Sequence, residues 1–223
     1  MDKNKYIPIL KTTTLFSGIS TEEISNMLGC LSATISTYKK KGFIIRSGDI
    51  IHTVGLVLTG TALVIKEDYW GNRTIITELT PGTIFGEAFA ALAFSPTESS
   101  VIADSDCEVI FFDMKKIMTV CNSTCAYHSR LIQNMLTTLA RKNVLLTQKI
   151  DFMSKKTIRE KLLAYLSAQS LKTGSPTFDI PFNRQQLAEF LSVDRSALSN
   201  EISKLQNDGI LSSTKNHFTL YQK

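Results

Sequence analysis

The sequence predicts an α+β protein with a β-rich N-terminal domain, one long helix and a mainly helical C-terminal domain. Short runs of β-forming residues, separated by turn residues, recur through residues 33–113. Apolar residues recur every three or four positions through residues 115–153, which is typical of a long helix. Two short amphipathic helices and a hairpin follow near the end. We therefore expect one domain at 1–114, the long helix at 115–153 and a second domain at 154–223.

Charge and composition restrict the kind of protein. The 223 residues carry a formal net charge of +5 at pH 7, which favours a polyanionic partner. No apolar run approaches the ~20 residues that a membrane span needs, and residues 1–11 lack the apolar segment of a signal peptide. The cysteines show no disulfide framework, which predicts reduced thiols in a cytoplasmic protein. They are Cys30, Cys107, Cys121 and Cys125.

The β-rich domain begins with helical residues. Ser20 is a suitable N-cap for a helix that starts at Thr21, and Glu23 stands where a capping box requires it. Short runs with strand character follow at spacings of about eight to twelve residues, which favours a β-sandwich or barrel. These runs cover residues 33–38, 43–46, 55–58, 61–66, 74–79, 101–103 and 108–112. One helical insertion interrupts them at residues 86–92.

The long helix presents more apolar surface than one neighbouring domain covers. One set of residues, spaced three or four apart, forms a continuous apolar face with a single polar member. We expect this face to pair with a second copy of the chain as a two-stranded coiled coil, in which Asn143 sets the register. Burial of the helix within its own monomer is the alternative. The predicted dimer residues are Ile132, Leu136, Leu139, Asn143, Leu146 and Ile150.

A stretch near the end fits two short helices joined by a tight turn. Asn183 is a suitable N-cap with Gln186 at the capping-box position, and Asp194 can cap the second helix. The inner faces are apolar, whereas the first turns of the second helix carry short or fork-shaped polar side chains outside. A hairpin follows within residues 211–221. This arrangement is typical of a winged helix-turn-helix that places its second helix in the DNA major groove. An ordinary packed helical hairpin is the alternative.

Several motifs make the whole chain resemble the Crp/Fnr family of bacterial transcription regulators. They are Arg-Ser-Gly-Asp at 46–49, Gly-Leu-Val-Leu-Thr-Gly at 55–60, Pro-Gly-Thr-Ile-Phe-Gly-Glu at 81–87, and the segments 156–162 and 186–211. The resemblance implies a homodimer that binds a palindromic site on double-stranded DNA, with RNA polymerase as a further partner. The sequence shows no nucleophile–base pair, Gly-rich phosphate loop or metal-ligand constellation, so we expect no enzymatic activity.

The resemblance also assigns roles on the second helix of the helix-turn-helix. Arg195 falls at the family position that reads guanine, and a bidentate Arg–guanine pair gives roughly 1–3 kcal/mol of discrimination. Ser196 replaces a Glu that some members use for cytosine. Asn200 replaces an Arg, which makes it a candidate for adenine or phosphate. The side chains expected to bind phosphate without specifying sequence are Gln185, Ser199, Lys204, Lys215 and Asn216.

The predicted effector pocket departs from the cyclic-nucleotide-binding members of the family. Those members follow a Gly-Glu pair with an Arg-Ser pair, whose Arg holds the cyclic phosphate. Here Gly86 and Glu87 are present, but Thr97 and Glu98 replace Arg-Ser. No Arg or Lys lies within residues 74–114, so we expect no cation to hold a phosphate beside Glu87. Because a carboxylate repels a nearby phosphate by on the order of a few kcal/mol, cAMP is disfavoured, and an effector is less anionic or binds elsewhere.

An apolar effector is one alternative to a nucleotide. Val144 and Leu145 replace the hydroxyl pair that meets adenine in the cyclic-nucleotide-binding members. Together with Phe89, Leu92 and Phe94 they would line an apolar pocket suited to haem or an aromatic acid. Haem would serve the sensing of nitric oxide or oxygen.

Histidines and cysteines supply no complete ligand set. The histidines are His52, His128 and His217. They are isolated from one another, so we expect surface or packing roles. Iron–sulfur members use N-terminal cysteines, which residues 1–29 lack, and Cys121 and Cys125 alone complete neither a cluster nor a zinc site. Cys30 and Cys107 are expected in the core. Three possibilities stay open: an effector-controlled regulator, a haem-dependent gas sensor, and a constitutive DNA binder controlled by its abundance or by thiol oxidation.

Overall fold

A computed structural model of the chain describes residues 3–92, 94–119 and 126–221. The chain divides into two compact units. The first comprises Met1–Gly71 and Ile76–Lys142, and the second comprises Asn72–Ile75 and Asn143–Lys223. Within the described ranges, no helix has the length and apolarity that crossing a membrane requires.

The first unit opens with a short 3-10 turn, Lys3–Tyr6, and the helices α1 (Ile7–Thr12) and α2 (Thr21–Cys30). The predicted capping box is confirmed at the start of α2. The Ser20 side chain accepts from the backbone N–H of Glu23 at 3.3 Å, and the Glu23 carboxylate accepts from the backbone N–H of Ser20 at 2.7 Å.

The predicted sandwich is confirmed as two four-stranded sheets. The strands are β1 (Thr34–Tyr38), β2 (Phe43–Ile45), β3 (Thr53–Thr59), β4 (Ala62–Glu67), β5 (Arg73–Leu79), β6 (Ile84–Phe85), β7 (Ser100–Ala103) and β8 (Cys107–Asp113). One sheet has the order β1-β8-β3-β6, and the other has the order β2-β7-β4-β5. Strand β6 was not predicted, because two residues are too few to show a period. It pairs with β3 at Gly55, where an added Cβ would lie 2.3 Å from the Phe85 ring.

Helices cover the rest of the apolar core of this unit. The helix α3 (Glu87–Ala91) interrupts the strands where a helical insertion was predicted, and α4 (Met114–Met118) follows the last strand. The helix α5 (Ala126–Ser154) comes next, so the helical pattern predicted over 115–153 includes two helices. On α5, Leu131 and Met135 are fully buried against the core of the first unit. The positions of Cys121 and Cys125 lie outside the described residues.

The second unit holds the C-terminal half of α5 and the predicted winged helix-turn-helix. Its further elements are α6 (Ile158–Thr173), β9 (Thr177–Asp179), α7 (Arg184–Leu191), α8 (Arg195–Asn207), β10 (Leu211–Thr214) and β11 (His217–Leu220). The strands form one sheet in the order β10-β11-β9. The predicted hairpin is thus confirmed, and the three-residue strand β9, which the sequence pattern did not indicate, extends it. Leu162, Leu166, Leu187, Leu198, Leu205 and Phe218 are buried in this unit.

Candidate functional site

The two helices of the helix-turn-helix are each fixed by a local cap. The Asn183 side chain accepts from the backbone N–H of Gln186 at 3.0 Å, and the Gln186 side chain accepts from the backbone N–H of Asn183 at 2.9 Å. The helix α7 ends at Leu191, and the next residue, Ser192, has a left-handed φ of 50° that turns the chain toward α8. The Asp194 carboxylate accepts from the backbone N–H of Ala197 at 2.8 Å and starts α8. All the predicted caps are therefore present.

Helix α8 divides into a buried face and a polar outer face. Leu198, Ile202 and Leu205 are buried. Of the residues predicted to meet DNA, Arg195, Ser196, Asn200 and Lys204 are exposed, and Ser199 is half-buried. The Ser196 hydroxyl donates to Asp194 Oδ1 at 2.5 Å. Hydrogen bonds from the Ser196 hydroxyl and from the backbone N–H of Ala197 lower the pKa of Asp194. The carboxylate therefore stays ionised as a cap beside Arg195.

An ion-pair network fixes α8 against α6. The guanidinium of Arg159 on α6 lies 3.5 Å from a carboxylate oxygen of Glu201 and 2.8 Å from one of Asp208. Lys204 lies 3.8 Å from the other oxygen of Glu201. These contacts hold the later turns of α8 and leave Arg195, Ser196 and Asn200 exposed.

The hairpin, here termed the wing, consists of β10, β11 and the two-residue turn Lys215-Asn216. Lys215 is exposed and adopts a φ of 56°. The Asn216 side chain donates to the carbonyl of Ile180 at 3.1 Å, so part of its amide serves the fold. On α7, Gln185 is exposed, and its amide donates to Glu189 at 3.0 Å. The roles of these residues in DNA binding stay predictions.

A cation that the sequence did not predict lies beside the predicted effector segment. Helix α3 follows Gly86, whose φ is 79°. The Glu87 side chain is buried, and its Oε1 accepts from Lys142 Nζ at 2.7 Å. Lys142 also donates to the carbonyl of Ile84 at 2.7 Å. The expectation that no cation lies beside Glu87 is wrong, because α5 brings in a residue from 55 positions away.

Thr97 and Glu98, which replace the phosphate-binding pair, are used for other contacts. Thr97 is buried, and its hydroxyl donates to the carbonyl of Arg46 at 2.8 Å. Its backbone N–H donates to the carbonyl of Asp49 at 2.8 Å. The Glu98 carboxylate is exposed and lies 3.1 Å from Lys66. Thr97 therefore fixes the turn at residues 46–49, and Glu98 belongs to a surface ion pair.

The remaining predicted pocket residues are mostly exposed. The exposed fractions are 64% for Leu92, 81% for Phe94, 59% for Val144 and 59% for Leu145. Phe89 is half-buried. Their role in an effector pocket stays a prediction.

The predicted dimer residues of α5 include several large apolar side chains in solvent. Leu136 is 62% exposed, Leu146 49% and Ile150 68%. Asn143 is also exposed, and Ile132 is half-buried. Leu139 is half-buried and packs against the core of the first unit. Burial within the monomer thus leaves most of the predicted face uncovered.

The described cysteines and histidines lie in separate places. Cys107 is buried, and burial raises the pKa of its thiol. The predicted core position of Cys30 is wrong, because α2 buries another face and leaves Cys30 exposed. His52 is exposed and His128 is buried, whereas His217 lies 2.9 Å from Asp179. Within residues 3–92, 94–119 and 126–221, no group of three or more potential ligand side chains could hold a metal ion.

Comparison with known proteins agrees with both units. A model of the cyclic nucleotide-binding domain matches residues 35–124, and a model of the Crp-like helix-turn-helix domain matches residues 160–222. The transcriptional activator protein FnrL of Cereibacter sphaeroides is 27% identical over 186 residues, which cover 78% of this chain and 71% of FnrL.

Solved structures share the fold. A CooA mutant from Carboxydothermus hydrogenoformans aligns with a TM-score of 0.75 and 20% identity, covering 95% of this chain and 93% of CooA. The c-di-GMP responsive global regulator CLP of Xanthomonas campestris aligns with a TM-score of 0.74 and 18% identity, covering 92% of this chain and all of CLP.

A cyclic nucleotide-binding-type domain joined to a helix-turn-helix with an open polar face defines a transcription regulator with an effector-binding domain. The chain belongs to the Crp/Fnr family of transcription regulators.

Proposed function

We propose that two copies of the chain associate along α5 and bind a palindromic operator through their α8 helices. The observation that carries this proposal is the apolar face of α5. Leu136, Leu146 and Ile150 are each about half exposed or more, although aliphatic side chains of this size favour burial by roughly 1.5–3 kcal/mol each. Their spacing fits a two-stranded coiled coil, in which the same face of a second α5 covers them.

The symmetry of such a dimer determines how DNA is read. Two α8 helices related by a two-fold axis enter successive major grooves, so the half-sites lie about one helical turn apart. Arg195 of each copy donates to guanine, and Ser196 and Asn200 stand beside it. Gln185, Ser199, Lys204 and Lys215 bind phosphates, which positions the protein without specifying sequence. RNA polymerase is the expected protein partner at the promoter, in the cytoplasm.

The effector in this proposal is not cAMP. The Lys142 ammonium is neutralised by Glu87 at 2.7 Å, so a phosphate would have to compete with a buried carboxylate for it. Thr97 offers no free hydroxyl proton, because it donates to Arg46. Both observations argue against an anionic ligand at this position.

A constitutive DNA binder is the second candidate, and the same ion pair favours it. Lys142 already joins α5 to α3 within the predicted effector segment, through a carboxylate of the chain itself. DNA binding would then be controlled by the abundance of the protein or by thiol oxidation.

The test is selection of bound sequences from a random DNA library, with and without cell extract, using the purified full-length chain. Sedimentation of the same sample gives its oligomeric state. We expect a dimer and a selected palindrome with guanine in each half-site. A monomer, or a selected pool without a shared motif under either condition, would contradict the proposal. A motif that needs no extract favours the constitutive form, and a Soret band after haem addition favours gas sensing.

A further inference from the structure

We propose that Arg184, the first residue of α7, is a positioning residue that holds the wing in place for DNA. This inference rests on the proposed function, because it concerns how the wing meets a phosphate. In this proposal Arg184 affects DNA binding only through Lys215 and makes no DNA contact of its own.

The guanidinium of Arg184 points back into the fold. It donates to the Ser213 hydroxyl on β10 at 3.2 Å and lies 3.4 Å from the Lys215 carbonyl in the wing turn. Its central carbon lies 5.4 Å from the centroid of the Phe218 ring, on β11. Phe218 is fully buried, and Arg184 is half-buried. One side chain thus contacts both strands of the wing and its turn.

The contacts of Arg184 extend to α8. The Ser213 hydroxyl lies 3.4 Å from the side-chain oxygen of Gln206, near the end of α8. The turn is also fastened on its other side, since Asn216 donates to the carbonyl of Ile180 and its own carbonyl accepts from the Ile180 N–H at 2.9 Å. The turn is therefore held from both flanks, and Arg184 joins the wing to α7 and, through Ser213, to α8.

The charge of Arg184 is poorly placed for a phosphate. Burial lowers the pKa of its guanidinium. Its donors are directed at Ser213 and Lys215, whereas the Lys215 side chain is exposed. Both hydrogen bonds come from one nitrogen, Nη2, while the planar guanidinium lies over the Phe218 ring. Lysine cannot replace arginine here, because its compact ammonium has no planar group to cover that ring while it contacts the two oxygens.

A double-mutant cycle on the selected operator separates positioning from direct contact. The variants are Arg184→Gln, Lys215→Ala and the double variant, each compared with the wild type across a series of salt concentrations. Loss of the Lys215 phosphate contact should reduce the salt slope of binding by about 0.9 per subunit, or about 1.8 per dimer. If Arg184 acts through Lys215, Arg184→Gln causes a similar reduction, and the double variant shows no further loss. Additive losses, about 3.6 per dimer, would overturn the proposal.

Two further measurements keep the test decisive. Hydrogen exchange in the free protein should rise in Arg184→Gln across residues 211–220 and stay unchanged in α5 and in the first unit. A merely structural role would lower stability generally and produce no coupling to Lys215. Arg184→Lys should not restore binding, and its full recovery would contradict the proposal.

Ser213→Ala, which removes one acceptor and leaves the charge, should raise exchange in the wing if Arg184→Gln fails to fold. Failure of the wild type to bind DNA would refute the proposed function, while the exchange measurement would still test whether Arg184 holds the wing.

Discussion

The ammonium of Lys142 on α5 lies 2.7 Å from the buried carboxylate of Glu87 at the start of α3. Glu87 is 7% exposed at its side chain and Lys142 29%. The pair joins the long helix to α3, within the predicted effector segment. It supplies an internal cation for Glu87 and adds a buried ion pair to the apolar contacts that Leu131 and Met135 of α5 make with the core.

Removing the ammonium should destabilise the first unit. In Lys142→Met the Glu87 carboxylate stays buried without its partner, and breaking a buried pair from one side costs about 3 kcal/mol. Urea denaturation should show this loss of unfolding free energy. Glu87→Gln in the same background removes the uncompensated charge and should recover most of it. A single variant as stable as the wild type would show that the pair has no role in stability.

Cyclic AMP should leave the thermal stability unchanged. A ligand that binds the folded state at 100 times its Kd stabilises it by about 2.7 kcal/mol, which a melting curve detects readily. Because Lys142 is paired with Glu87 and Thr97 donates to Arg46, we expect no shift at millimolar cAMP. A clear upward shift would mean that the pair opens to admit a phosphate.

A charge placed on the apolar face of α5 should dissociate the proposed dimer. Ile150→Glu puts a carboxylate on a side chain that is 68% exposed in the monomer, so the monomer should tolerate it. Two such charges in a coiled-coil seam repel each other and lose apolar contact. Sedimentation should show a monomer with an unchanged helical content. Gln148→Glu, which adds the same charge at an exposed polar position on the opposite side of the helix, should remain dimeric.

Local signals predicted much of this fold. The capping boxes at Ser20 and Asn183 depend on residues three positions apart, so the sequence displays them directly. The faces of α8 follow from helical periodicity in the same way. By contrast, β6 and β9 are two and three residues long and exist because of the strands they pair with.

Contacts between residues that are far apart in the chain could not be predicted from the sequence. Lys142 reaches Glu87 across 55 positions, and a search for cations near Glu87 in the sequence could not find it. The sequence assigned no role to Arg184, because its direction toward Ser213 depends on the fold of the wing. Cys30 was misplaced because its apolar neighbours define a face of α2 to which it does not belong.

Lys149, in the second unit, should make stability depend on pH above neutrality. It lies 4.2 Å from the centroid of the Phe190 ring and donates to the carbonyl of Ile75. Burial lowers its pKa from 10.5 to about 8. The folded state therefore disfavours the charged form, so this group's contribution to stability rises as the pH increases from about 8 toward 10.5.

The variant Lys149→Met isolates that contribution. The unfolding free energy of the wild type minus that of the variant should increase between pH 7 and pH 10, whatever its sign at pH 7. Chemical denaturation at several pH values measures the difference, and other titrating groups cancel in it. A difference that stays constant, or that falls with pH, would contradict the lowered pKa.

Arg195→Ala should abolish the preference for the operator while leaving nonspecific binding. Arg195 is exposed on the first turn of α8, and a bidentate contact to guanine contributes roughly 1–3 kcal/mol of discrimination at each half-site. The phosphate contacts of other residues remain, so the variant should still bind DNA in a salt-dependent way. Competition between operator and unrelated DNA in a gel-shift series measures the preference. Ser203→Ala, an exposed change farther along α8, should keep it. If Arg195→Ala discriminated as well as the wild type, base reading would have to lie with other residues of α8.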